Sequence, residues 1–263
     1  MTCEICGGGV AGSYTRCGET LQLCARCLDR MQIQDAYEGQ LLELHRLTVD
    51  GRYADVLAAL DGLFAQHRGR DHDGWLERSL TSHRALVLAE QGDLVAAAAA
   101  HRAVIAASPD DHSERFGLAG VLERMGDLDE AVAEVERGLA AITARTAPAA
   151  LSGLVRLARF CAAQGREVPA SHRDALEAAV RWWGLPLPAA LLASDAPLAP
   201  AIAAADTAVR DAQARYQALQ VYLQVLSAQP DIGLVAATLR AYQQHEPVAY
   251  YRQHVQDLLR SLP

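Results

Sequence analysis

Four cysteines in two pairs carry the clearest chemistry in the sequence. Cys3-x2-Cys6 and Cys24-x2-Cys27 are separated by 17 residues, within the spacing expected of a four-thiolate zinc site. Tetrahedral Zn²⁺ takes four ligands at about 2.3 Å, and each C-x-x-C turn delivers two thiolates from one tight loop. The rivals, a redox-active dithiol or an iron–sulfur cluster, do not require both pairs at this separation. We therefore expect zinc on Cys3, Cys6, Cys24 and Cys27. Gly7 follows the first pair, where a small residue lets backbone amides turn toward the sulfurs. Five of the six cysteines lie in the first 27 residues, a pattern of metal binding rather than of a distributed disulfide framework. The fifth, Cys17, is read as hairpin filler ahead of an alternate ligand or a redox-sensitive neighbour.

The elements that position these thiols can be read next. Ser13 to Leu23 has the pattern of a short hairpin with Gly18-Glu19 at its turn, and the LDRMQIQDAYEGQLLEL that follows Cys27 is helical. A knuckle, a hairpin and a cysteine pair opening a helix together resemble a treble-clef zinc finger, over the N-terminal module alone. In residues 1–34 the charges of Arg16, Arg26 and Arg30 are cancelled by Glu4, Glu19 and Asp29, which argues against a DNA-binding finger. A structural zinc that folds a module too small to hold itself together fits better.

Composition sets the class of the remainder. The chain has 263 residues, 51% of them apolar and only 5% aromatic, with Ala and Leu dominant. Those two favour close-packed helices over sheets. A net charge of −8 argues against a surface that neutralises phosphates. All 24 basic residues are Arg, and Lys and Asn are both absent; a GC-rich coding bias explains this more simply than selection against lysine conjugation. Without Lys there is no Schiff base and no P-loop lysine. The start MTCEICGGGV lacks the basic and apolar regions of a signal peptide. The Ala-rich stretches are broken by charge, short of the roughly 20 residues that span a bilayer. A cytoplasmic protein without a membrane partner is expected.

Self-similarity organises the middle of the chain. Gly92-Asp93-Leu94 recurs as Gly126-Asp127-Leu128, a shift of 34 that also takes Ala85 to Ala119, Leu88 to Leu122 and Ala97 to Ala131. Small residues let two helices approach closely; Gly supplies an unusual backbone conformation at the turn and Asp can cap the next helix. Pro109 follows Ser108 at the end of the first unit. Residues 78–111 and 112–145 resemble two tetratricopeptide repeats, the second through Leu118, Ala119, Leu122, Gly126, Leu128, Ala131 and Val135. Arg84 and His101 stand where that family is normally apolar, and Ala144 replaces the second closing proline.

Weaker units flank the pair. LLELHRLTVDGRYADVLAALDGLF has the same form around Gly51, with HRGRDHDG (67–74) as an insertion before the next unit, and LSGLVRLARFCAAQGREV repeats the pattern through Leu157, Ala158, Cys161 and Gly165. Cys161 there reads as a buried thiol. The next helix ends at Trp182-Trp183-Gly184, with the tryptophans expected to pack in a core. GLPLPAALLASDAPLAP (184–200) reads as a linker or an extended lap, followed by a long helix marked by Ile202, Val209, Tyr216, Leu219, Leu223 and Leu226 and ending near Gln229-Pro230, then two shorter ones. The expected architecture is an all-α, tetratricopeptide-like solenoid of helical hairpins with a small zinc finger. Its divisions are a zinc module at 1–34, repeats at 35–183, a Pro-rich linker at 184–200 and a helical cap or degenerate repeats at 201–263.

No enzymatic constellation emerges: GxSxG, GxxxxGK[ST], HExxH and GxGxxG are all missing. His67, Asp71, His72 and Asp73 read as a solvated charged loop rather than a metal site. The repeat resemblance implies a partner groove presenting Leu42 and His45, then Ser82, His83 and Leu86, then Phe116, Gly120 and Arg124, and finally Arg156 and Arg159. Apolar patches with Arg at one end suit a helix or an extended acidic segment. The co-chaperone subclass with its lysine–asparagine clamp is set aside, because this chain has neither residue. The expectation is a non-enzymatic adaptor for a protein or peptide. A zinc- or redox-responsive regulator is the alternative, and a nucleic-acid-binding transcription regulator ranks third.

Overall fold

The computed structural model describes residues 2–16, 19–227 and 232–262, and it falls into two compact units, residues 1–127 and 128–263. Among the described residues two β-strands are followed by eleven α-helices. The all-α class with one small hairpin is therefore as expected. No helix is long and apolar enough to cross a membrane.

The first unit opens with β1 (Gly12–Arg16) and β2 (Glu19–Leu23), antiparallel in the register Gly12↔Leu23 to Arg16↔Glu19. That register makes Glu19 a ladder residue rather than part of the expected turn. Cys17 and Gly18, and with them the reading of Cys17 as filler, lie outside the described residues. The helices are α1 (Ala25–Val49), α2 (Tyr53–His67), α3 (Trp75–Gln91), α4 (Leu94–Ala107) and α5 (His112–Met125). α1 is continuous across residues 34 and 35, so the cysteine module and the first hairpin share one helix. Ile33, Leu44 and Leu47 of α1 join Val56, Leu60 and Leu63 of α2 and Leu76, Leu80 and Val87 of α3 in one core.

Local rules set the helix ends. Gly92 and Gly126 adopt φ of +87° and +85°, a conformation that costs any residue with a Cβ. The amide after each glycine bonds back to a carbonyl five residues earlier, Asp93 to Leu88 (3.0 Å) and Asp127 to Leu122 (2.9 Å), a common helix stop. Arg52 to Leu47, Arg166 to Cys161 and Leu185 to Val180 repeat the bond after Gly51, Gly165 and Gly184. Cys161 is thereby the counterpart of Leu88 and Leu122, and it is buried. Ala85, Ala97, Ala119 and Ala131, related by the 34-residue shift, are all fully buried. Asp93 caps α4 by accepting from the Ala96 amide (3.1 Å), and Asp111 caps α5 through the amides of Ser113 and Glu114. Arg84 lies partly exposed and pairs with Asp61 of α2, which accounts for a charge at a normally apolar position.

The second unit contains α6 (Leu128–Ala140), α7 (Ala147–Ala163), α8 (Arg173–Trp183), α9 (Leu198–Ser227), α10 (Ile232–His245) and α11 (Ala249–Ser261). The expected helix end at Gln229-Pro230 and the side chain of Leu226 lie outside the described residues. Trp182 stacks on Tyr250 (centroids 5.0 Å apart) and Trp183 on Tyr251 (6.1 Å), which fastens α8 to α11. Residues 184–200 lap against the helices of this unit: Leu185 and Leu198 are buried, and Arg173 donates to the Ala196 carbonyl at 2.5 Å. Gly184 needs both its positive φ and its missing side chain, because a Cβ there would run into Ala249.

Glu246 is the one fully buried carboxylate of this unit among the described residues. Arg215 donates to it twice, at 2.9 and 3.0 Å, and the Val248 amide once, at 2.9 Å. Desolvation opposes ionisation, yet these donors hold its carboxyl below the ordinary value. A carboxyl depressed in the fold contributes stability above the ordinary range near pH 4.3 and loses it as pH falls through the lower folded value. Replacing Arg215 by Met leaves a buried charge unpaired, and urea unfolding at neutral pH should show a loss of about 3 kcal/mol. The loss should shrink in acid, where Glu246 is protonated; a pH-independent difference would assign it to packing instead.

Candidate metal centre and interaction groove

The four cysteines converge. Every Sγ of Cys3, Cys6, Cys24 and Cys27 lies within 4.8 Å of the others, with Cys6 and Cys24 3.5 Å apart. Arms of about 2.3 Å in a tetrahedron give sulfur–sulfur edges of about 3.8 Å, so the cluster has the dimensions to hold a metal ion. Gly7, at φ +76°, closes the first knuckle by donating to the Cys3 carbonyl at 2.9 Å, while Cys3 donates to Gly8 at 2.6 Å. Cys24 is the N-cap of α1 and Cys27 lies in its first turn. Below them Cys3, Tyr14 and Leu23 are buried together against Leu28 and Met31. The Tyr14 hydroxyl donates to Asp35 at 2.6 Å and pins the hairpin to α1.

The electrostatics ask for a cation. Amides of Cys24, Cys6 and Ile5 turn toward Cys3 and bring its thiol from 9.0 to about 6. The Cys27 amide and neighbouring sulfurs lower Cys24. Desolvation and the sulfurs of Cys24, Cys6 and Cys3 push Cys27 far up. Four thiolates at this separation repel one another unless a metal ion takes the place of the protons.

The 67–74 segment is a docked element rather than a free loop. Asp71 accepts from the Leu76 and Glu77 amides and Asp73 from Trp75, which caps α3. Asp29 of α1 pairs with Arg70 (2.5 Å) and His72 (3.1 Å), and Arg30 pairs with Asp73 (2.5 Å) while lying 4.3 Å over the Trp75 ring. His72 and Asp73 are exposed, as expected of a solvated loop, but their charges are paired to α1, and His67 at the end of α2 is buried. These residues form no second metal cluster among the described ones.

In the first unit, the positions expected to meet a partner differ in their access. Leu42 is 81% and Leu86 54% exposed, and His45 and Arg124 are exposed as well. Ser82, His83 and Gly120 are half-buried, whereas Phe116 is only 6% exposed, with its ring edge against His112. Phe116 is therefore part of the packing. His83 Nδ1 lies 3.1 Å from the Tyr37 hydroxyl, and burial pushes the imidazole below its ordinary value. In the second unit Arg156 is half-buried and Arg159 exposed, over the Phe160 ring at 5.4 Å.

Sequence reasoning missed a buried polar junction beside Ser82. Glu114, on the first turn of α5, accepts from Ser82 of α3 through Oε1 and contacts His101 Nδ1 of α4 through Oε2 at 2.8 Å. Glu114 is 7% and His101 2% exposed. Ser82 and His101 both bond the carboxylate, not each other, and His101 Nε2 is buried without a partner. This is a structural junction of three helices, not the serine–imidazole contact a nucleophile requires. A signal existed: His101 stands at a normally apolar repeat position, and Gly117 sits opposite it, where a Cβ would lie 2.6 Å from the ring.

Residues 88–154 match the family model of the tetratricopeptide repeat. Two crystal structures of kinesin-light-chain-type, nearly identical TPR-like repeats from Podosopora anserina are similar to this chain. Both are 15% identical: one covers 91% of this chain and 96% of its own with a TM-score of 0.43, and a glutamine-to-methionine variant covers 92% and 97% with 0.44. No curated protein matches the chain.

Gly117→Ala should lower stability by about 1–3 kcal/mol by pressing on the His101 ring. Gly62→Ala, in the interior of α2 with nothing within 4 Å, should raise it by up to about 1 kcal/mol. Urea unfolding of both variants checks the pair, and equal effects would remove the argument that Gly117 makes room for His101.

Proposed function

We propose, from the premise that residues 88–154 are tetratricopeptide repeats, that this chain is a cytoplasmic adaptor that holds a protein or peptide partner on the exposed faces of its repeat helices. The observation that carries the reading is the exposure of Leu42 and Leu86 on α1 and α3, two large apolar side chains at positions where the repeat family meets its ligands. His45, Ser82, His83, Gly120 and Arg124 extend that surface in the first unit; Arg156 and Arg159 are read as partner-facing positions of the second unit by itself. An interaction module needs neither nucleophile nor cofactor, and we assign no enzymatic role.

The metal is read as zinc, held by Cys3, Cys6, Cys24 and Cys27. An all-thiolate tetrahedral set suits it, and its role is to fold residues 1–34 onto the start of α1. A regulatory role is favoured by one observation: Cys6 is exposed, and with Cys24 and Cys27 it lines an open cleft of about 370 Å³. A metal there is reachable by chelators and oxidants.

Purified full-length protein should carry one zinc per chain by elemental analysis, and a Cys3→Ser, Cys24→Ser variant none. Affinity capture from native cells should return a partner whose binding weakens at least tenfold in Leu42→Asp and Leu86→Asp, with circular dichroism unchanged. A partner held equally well by both variants would remove the groove assignment, and zinc-free protein with an intact N-terminal hairpin would remove the structural role of the metal.

A further inference from the structure

A cavity of about 250 Å³ opens on the first unit beside Glu114, walled by Tyr37 of α1, Trp75, Ser79 and Ser82 of α3, and Asp111 and Glu114 at the start of α5. Its charges do not balance. Glu114 is nine-tenths buried and receives hydrogen bonds from a serine hydroxyl and an imidazole. Among the described residues no arginine reaches it. Asp111 has the α5 amides of Ser113 and Glu114 as its donors. Arg78, the single cation in the wall, gives Nη1 to the Asp73 carbonyl at 2.8 Å and forms no ion pair with either acid among the described residues. The titratable neighbour of Glu114 is the His101 imidazole, 2.8 Å away through Nδ1, whose Nε2 is buried without a partner. A carboxylate this deeply buried, with no arginine on it, gains from a charged donor arriving from outside.

We propose that this pocket is the receptor for an arginine side chain of the partner, with Glu114 as the counter-charge, Ser79 and Ser82 beside it, and the Tyr37–Trp75 pair as an aromatic wall. The inference rests on the adaptor reading and specifies the partner's chemistry: a basic residue, opposite in sign to the acidic segment expected from the sequence. The wall already shows the preference, because Trp75 carries the Arg30 guanidinium at 4.3 Å and meets the Tyr37 ring edge-on at 5.9 Å. A planar guanidinium stacks on such rings and can bond a carboxylate with two parallel N–H groups, whereas an ammonium is a strongly hydrated point charge.

The test uses the full-length, ¹⁵N-labelled protein and two small probes of the same shape, Nα-acetyl-arginine amide and its uncharged analogue Nα-acetyl-citrulline amide. The arginine probe should shift the backbone resonances of Ser79, Ser82 and Glu114 saturably, and the citrulline probe should bind at least tenfold more weakly. Glu114→Gln, which keeps a hydrogen-bonding side chain of the same shape, should abolish the difference between the probes. Equal shifts from both probes, or shifts confined to other parts of the chain, overturn the proposal, and that comparison needs only the wild-type protein. The two readings fail separately. A captured partner that binds wild type and Glu114→Gln equally overturns the pocket and leaves the adaptor standing. Charge-selective binding of the arginine probe without any Leu42- and Leu86-dependent partner supports the pocket and overturns the adaptor.

Discussion

The structure depends on where its helices stop. At Gly51, Gly92, Gly126, Gly165 and Gly184 the backbone enters the left-handed region, and the following amide turns back to close the last turn. A helix that ends one residue late rotates everything after it by roughly 100° around its axis. The fully buried Ala85, Ala97, Ala119 and Ala131 tolerate no such rotation, because small side chains mark close approach and a larger neighbour turned into their place would not fit. The junction of Ser82, Glu114 and His101 inherits this precision. It draws one side chain from each of three helices of the first unit, and it forms only because all three end and begin in register.

The cysteine cluster obeys a different constraint. Its thiols are gathered by two short pieces of backbone, the Gly7 knuckle and the first turn of α1, neither of which has an apolar core large enough to hold it. The amides that turn toward Cys3 and Cys24 favour thiolates, and the crowding that raises Cys27 opposes the last ionisation. The same few residues thus attract negative charge and cannot contain all of it, an imbalance that a metal ion corrects.

The 34-residue shift gave the helix stops at Gly92 and Gly126 and the buried alanines before any coordinates, because each is a local requirement with a residue type attached to it. The cysteine cluster was equally legible, since a C-x-x-C pair declares itself by spacing. What resisted reading were contacts between residues far apart in sequence whose types are ordinary. Glu114 looks like any acid on the first turn of a helix, and only the juxtaposition of His101 with Gly117 hints that it is buried. The loop 67–74 looked solvated because it is rich in charge, and its docking is invisible until Asp29, Arg30 and Gln32 are seen to face Arg70, His72 and Asp73. Phe116 shows the converse error: a family position that faces the ligand was assigned by analogy, while in this chain the ring turns inward.

α1 is one uninterrupted rod of 25 residues that begins among the thiols and continues past Tyr37 and Leu42 to Leu47. Helical order spreads cooperatively along such a segment, so an ion held by the sulfurs would also steady the beginning of the surface proposed for a partner. Linkage then works in both directions. On the proposed reading, a ligand that grips Tyr37 or Leu42 and orders the helix would tighten the hold of the cysteines on a bound ion by the same factor, and a shortage of that ion would weaken binding without any residue of the surface having changed.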